Sequence, residues 1–225
     1  FGNIAFAVEE GRHIYKTIQK VILYLFSTNI GEMLTIAGAL ALGMPLPLLP
    51  GQIIWLNFVT DGFLDVALAM DKKDSSSLPR ERPKKYLVDA RMAERMILMS
   101  CVMALGTLYV FYISLGAGFA KASTLALTAL AIFQWFNAWN CRSENRSIFS
   151  RHLHVNWYLI GATGIVIGLQ MLAIYHPALQ RILHTVPLTP AEWIVAVAIA
   201  ASLIGIEEIR KLIARLRTQS AIVRA

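Results

Sequence analysis

QIIWLNFVTDGFLDVALAM, residues 52–70, decides how this chain is read. The run has about the length that a bilayer crossing demands, roughly 20 mainly apolar residues. Asn57, Thr60, Asp61 and Asp65 interrupt it. A charge at the centre of a bilayer costs about 2.5–3.5 kcal/mol even on the mildest insertion scale, so an acid at that depth is functional by default. Whether the run is a span at all is settled by its surroundings.

Five more apolar runs of spanning length lie at 18–42, 96–119, 122–140, 155–175 and 193–209. Of the 225 residues, 56% are hydrophobic and 16% charged, against about 25% charged in soluble domains. Mean hydropathy is +0.56. The fold class that follows is all-α: a polytopic membrane protein of six transmembrane helices. Pro45, Pro47 and Pro50 make a short uncharged turn between the first two.

The net charge of +7 is a topology signal. Arg12, Lys16 and Lys20 precede the first span. Lys72, Lys73, Arg80, Arg82, Lys84, Lys85, Arg91 and Arg95 lie between the second and third. Arg142, Arg146 and Arg151 lie between the fourth and fifth, and Arg210, Lys211, Arg215, Arg217 and Arg224 follow the sixth. Of the 21 Lys and Arg residues, only Lys121 and Arg181 remain for the other side. Cytoplasmic loops carry the excess of Lys and Arg, which puts both ends of the chain in the cytoplasm. No nucleic-acid partner is called for; the lipid bilayer is the partner. Cys101 and Cys141 have no metal-ligand spacing and read as ordinary small apolar residues. The first residue, Phe1, points to a piece of something longer.

Before the first span, Ile4, Val8, Ile14 and Ile18 recur at helical spacing with Glu9, Glu10, Arg12 and Lys16 between them. This is an amphipathic helix that runs straight into the membrane, a cytoplasmic stalk. The charged, proline-containing segment 71–93 is a cytoplasmic loop with a contact to make.

Glu32 lies midway along the first span, with Asn29 three residues before it and therefore on the same side. Asn57 and Asp61 are four apart in the second span, with Thr60 beside them. A short turn makes the two helices antiparallel neighbours, so their polar faces meet at similar depth. Gln134, Asn137 and Asn140 step along the fourth span. Two carboxylates, amide oxygens and a hydroxyl suit a hard cation; Ca²⁺ takes about six to eight oxygen ligands. Gly31 and Gly62 permit close approach or local unwinding, which would release further carbonyl oxygens. Asp65, one turn beyond Asp61, is a further ligand, an entry-path charge or a solvated helix end. Asn137 and Asn140 suit interhelical hydrogen bonding better than ligation. Glu207 and Glu208 pair with Arg210 or Lys211. His152 and His154 flank a turn without metal-site character. The sequon at 145–147 falls on the cytoplasmic side, where it is silent. Gly164 and Gly168 form a packing face in the fifth span.

AVEEGRHIYKTIQKVILYLFSTNIGEM (7–33), LPGQIIWLNFVTDGFLDVALAMD (49–71) and NAWNCRSENRSIF (137–149) closely resemble the C-terminal membrane half of P-type cation-transporting ATPases. The nearest subgroup is the calcium pumps of the sarcoplasmic reticulum and their bacterial relatives. The resemblance implies the fifth to tenth helices of a ten-helix pump. It places the transported cation, Ca²⁺, on Asn29, Glu32, Asn57, Thr60 and Asp61. Gln134 stands where the calcium pumps have a glutamate, as in sodium–potassium and plasma-membrane calcium pumps. Leu64 and Asp65 stand where the family has proline and a small residue, and Asp65 partly restores the lost charge.

The resemblance also implies what this stretch lacks: the phosphorylated aspartate, the nucleotide and actuator domains with their ATP and Mg²⁺, and the first four helices. No catalytic residue falls in this stretch, which cannot hydrolyse ATP alone. The implied organisation is a stalk at 1–17, two helices with the core site at 18–70, a coupling loop at 71–95, four further helices at 96–209 and a basic tail at 210–225. The expected function is the membrane core of a pump that exports Ca²⁺ across a bacterial-type plasma membrane. The alternatives are a pump for Na⁺ or another monovalent cation, a six-helix secondary transporter or channel, and a structural membrane module.

Overall fold

A computed structural model describes residues 2–71, 87–144, 147–148 and 156–224, without the side chains of 2, 3, 5 and 217–224. Most of the expected coupling loop, His152, His154 and most of the sequon lie outside the described residues. Within them every regular element is helical.

Helix α1, Gly2–Ala41, is unbroken and carries the amphipathic segment and the first apolar run on one axis. It ends at Gly43, whose φ of 68° suits a residue without Cβ. There Met44 N donates to Ala39 O (2.9 Å) and Gly43 N to Leu40 O (3.1 Å), closing the last turn. Pro50 opens α2, Pro50–Trp55, and the Gln52 side chain accepts from Leu49 N at 3.1 Å. A π-helical turn, Leu56–Asp61, joins α2 directly to α3, Gly62–Ala69. The three form one rod antiparallel to α1.

Helix α4, Ala90–Ser114, starts on the Asp89 side chain, which accepts from Met92 N at 2.9 Å. Helix α5, Phe119–Cys141, follows a single 3₁₀ turn. Helix α6, Trp157–Tyr175, is capped by Asn156. A short α7, Pro177–Leu183, leads to α8, Pro190–Arg224. The sequence reading did not separate α7.

Helix α5 is buried on nearly every side. It packs against α1, α4, α8, the π-turn and α3. The close approach of α4 runs through Gly106, where a Cβ would lie 2.5 Å from Phe133 Cζ. Large apolar side chains point outward instead: Phe58 is 80% exposed and Trp157 70%. That is the surface of a protein solvated by lipid tails, where packing and interhelical hydrogen bonds hold the bundle. Gly164 and Gly168 have no atom within 4 Å of a built Cβ, so the expected packing face meets nothing among the described residues.

Five described helices are long and apolar enough to cross a bilayer: Phe6–Ala41, Pro50–Ala69, Ala90–Ala117, Phe119–Cys141 and Trp157–Tyr175. The sixth expected run lies in α8 and is not among them. It is bracketed by Glu192 and by Glu207 and Glu208, and it passes into a basic segment.

The polar bonds gather at two ends. At the basic end, Arg95 Nη2 meets Glu207 Oε1 at 2.6 Å and Asn140 O at 2.8 Å. Arg210 reaches Glu207 at 2.9 Å, and Lys211 lies 3.6 Å from Glu208. The expected pairings of the two glutamates are present, with Arg95 as a partner from α4. Burial pulls the Lys211 ammonium below its ordinary pKa. At the opposite end, Gln52 donates to Leu183 O (2.9 Å) and accepts from Ser123 (3.1 Å), and Lys121 meets Glu192 at 3.0 Å.

Candidate functional site

Between these ends, α1, the rod and α5 bring polar side chains together in the apolar interior. Glu32 is 5% exposed and both its oxygens are engaged. Asn57 Nδ2 donates to Oε2 at 2.8 Å and Gln134 Nε2 to Oε1 at 2.7 Å. Asp61 is 1% exposed. Tyr24 Oη donates to its Oδ1 at 2.7 Å and Thr28 Oγ1 to its Oδ2 at 3.2 Å. The two carboxylates are close enough to interact electrostatically.

The rod achieves this through its π-turn. Asn57, Thr60 and Asp61 all lie in Leu56–Asp61, and Thr60 and Asp61 are buried. π-turns inside α-helices are rare and are frequent at functional sites. The expected unwinding at the glycines is not seen: Gly62 opens α3 in ordinary helical conformation, the widening lies in the turn before it, and α1 passes through Gly31 without a break. Gly31 faces α4, where a Cβ would lie 3.4 Å from Met103 Cβ, an ordinary van der Waals contact.

Gln134 is fully buried, and its Oε1 has no hydrogen-bond partner. A buried acceptor without a donor costs about 1–3 kcal/mol, so its position calls for an explanation. Asp65 is part-buried, and its Oδ1 is likewise buried without a partner. It lies within electrostatic reach of Asp61 and Tyr24.

Asn29 stands apart. It is exposed, and its Nδ2 bonds back to Leu25 O at 2.8 Å. Successive helical residues are about 100° apart, so Thr28 and Asn29 flank Glu32 on opposite sides. The described bundle covers the Thr28 flank. On the other flank Phe26 (55%) and Met33 (59%) are exposed with Asn29. Asn137 donates to Ser27 Oγ at 2.6 Å, an interhelical bond of the expected kind, whereas the Asn140 side chain is buried without a partner.

Tyr24 and Thr28 are the residues that sequence reasoning missed. The signal was present: they precede Glu32 by eight and four residues, the spacing of one helical face.

Among the described residues no group of three or more His, Cys, Asp or Glu side chains gathers where one metal ion would sit. The donors here are two carboxylates with neutral oxygens from amides and hydroxyls. Such a set serves a hard cation rather than a soft one.

The family described as "Cation transporting ATPase, C-terminus" matches residues 45–213. A calcium-transporting ATPase of Bacillus subtilis is 37% identical over 206 residues, covering 89% of this chain and 23% of the relative. A protein of Mycobacterium bovis named "Probable cation-transporting ATPase F" is 31% identical over 224 residues, 97% of this chain and 25% of the relative. Calcium-transporting ATPase 1 of Saccharomyces cerevisiae is 30% identical over 225 residues, 97% of this chain and 24% of the relative. The chain thus spans about a quarter of the length of these relatives.

Proposed function

Because the chain belongs to the P-type cation-transporting ATPases, whose C-terminal membrane region it forms, we propose that its buried polar cluster carries the cation an ATP-driven pump exports, and that this cation is Ca²⁺. The observation that carries the reading is the pair of carboxylates, Glu32 and Asp61, held by four donors in a membrane interior. Two of those donors are amides. Turned about their last torsion, Asn57 and Gln134 offer oxygens in place of NH₂ groups, and the partnerless Gln134 Oε1 is already one. Thr60, Asp65 and Asn29 complete the donor set from the flanks.

In this reading six helices cross a bacterial-type plasma membrane with both ends in the cytoplasm. The remainder of the parent pump, with its actuator, phosphorylation and nucleotide domains, supplies ATP and Mg²⁺. Its first four helices cover the flank of α1 that exposes Phe26, Asn29 and Met33. Helix α1 carries Glu32 on the same unbroken axis as its first turns, so a tilt imposed at its basic end moves the carboxylate. The names of the Bacillus and yeast relatives support Ca²⁺. A monovalent cation such as Na⁺ is the second reading, favoured by the neutral Gln134 on Glu32.

The test is acid-stable phosphoenzyme formed from ATP by the full-length parent in membrane vesicles, across Ca²⁺, Na⁺, Mn²⁺ and no added ion. Dependence on Ca²⁺ supports the first reading and dependence on Na⁺ the second. A folded parent that forms no phosphoenzyme with any ion contradicts both.

A further inference from the structure

Asp71 stands immediately beyond the rod, with its N–H on Leu68 O at 3.2 Å. A carboxylate at a helix C-terminus opposes the helix dipole, so the position is unfavourable without cations nearby. Two are present. Lys20 Nζ of α1 lies 2.9 Å from Oδ2, and Arg142, just past α5, lies 3.2 Å from Oδ1. Asp71 and Arg142 are each 8% exposed. The Arg142 guanidinium is stacked 5.6 Å over the Trp139 ring, which fixes its direction. Asn156 holds the same end of the rod by donating to Ala67 O at 3.1 Å.

The elements that Asp71 joins are α1, the rod and α5. These same three supply Glu32, then Asn57 and Asp61, then Gln134. At about 1.5 Å per residue, Asp71 lies about 15 Å from Asp61 along the rod, and Lys20 about 18 Å from Glu32 along α1. An exposed ion pair at such a place would contribute little. A largely buried triad on three helices fixes their register instead.

Resting on the pump reading above, we propose that Asp71 is a positioning residue: its ion pairs to Lys20 and Arg142 hold α1, the rod and α5 in the register that lets their side chains bind the cation. The neutral Asp71→Asn variant loosens that register, and the cation then binds more weakly although no ligand has changed.

The experiment reads the cation concentration for half-maximal phosphoenzyme in the full-length parent. Asp71→Asn is expected to raise it about 5-fold or more, the lower edge of ordinary coupling between sites, with the maximum retained. Asp71→Glu, which keeps the charge, stays close to the parent. Lys20→Met with Arg142→Met added to Asp71→Asn gives no further rise. Where Asp71→Asn fails to reach the membrane, Arg142→Met alone carries the same expectation at smaller amplitude. An unchanged midpoint in folded Asp71→Asn overturns the proposal. So does a reduced maximum at an unchanged midpoint, which marks a merely structural role. A wild-type parent without cation-dependent phosphoenzyme overturns the pump reading itself and this proposal with it.

Discussion

Asp61 and Glu32 are each held through both oxygens, and the identity of their donors sets what single substitutions do. Tyr24→Phe removes one hydroxyl and leaves Asp61 Oδ1 without its buried donor. The expected cost is about 1–3 kcal/mol of stability, seen as a lower unfolding temperature of the detergent-solubilised parent; an unchanged temperature would deny the bond. Gln134→Glu adds a third carboxylate beside Glu32. It is expected to lower the Ca²⁺ concentration for half-maximal phosphoenzyme and weaken any response to Na⁺; a rise in the Ca²⁺ midpoint would count against a site shared by Glu32 and Gln134. Glu32, Asn57 and Asp61 were legible in the sequence because polar groups in an apolar run stand out. Tyr24 and Thr28 share the Glu32 face by their spacing, but an aromatic and a hydroxyl are ordinary in a membrane helix and do not stand out there. The spacing of three sets Asn29 on the Glu32 side, but the described helices cover only the opposite flank.

Among the elements, the contacts between α4 and its neighbours are the most exacting. Gly106→Ala would drive a Cβ into Phe133. Overpacking of this kind costs about 1–3 kcal/mol. Gly164→Ala meets nothing and instead gains helix propensity, at most about 1 kcal/mol. Thermal unfolding of the two variants should move in opposite directions or leave Gly164→Ala unmoved; a Gly106→Ala protein as stable as the parent would mean that α4 and α5 are farther apart than described. Arg95→Met removes one of the two cationic partners of Glu207 inside the bundle, Arg210 remaining, and is expected to cost about 1–3 kcal/mol by the same assay. The helices themselves were legible from apolar length. The π-turn was not: glycines marked where the rod could loosen, but whether a helix unwinds or widens is decided by its neighbours. The pairing of Arg95 with Glu207 joins residues far apart in sequence, which periodicity does not report.

At the scale of the whole molecule, charge placement was the clearest message in the sequence. The Lys and Arg of α1, α4 and α8 gather at one end of the bundle and bind Asp71, Glu207 and Glu208 there. What stayed hidden is how that end speaks to the site, because the Lys20–Asp71–Arg142 triad becomes visible only once three helices are packed. In the pump, Glu32 and Asp61 are proposed to hold the transported ion. The decisive measurement is ATP-driven uptake of radiolabelled Ca²⁺ into inside-out vesicles containing the full-length parent. Uptake should occur in the parent and in Gly164→Ala, and should be lost in Glu32→Gln and in Asp61→Asn at equal protein level. Uptake at the parental rate in both carboxylate variants would mean that neither Glu32 nor Asp61 holds the ion.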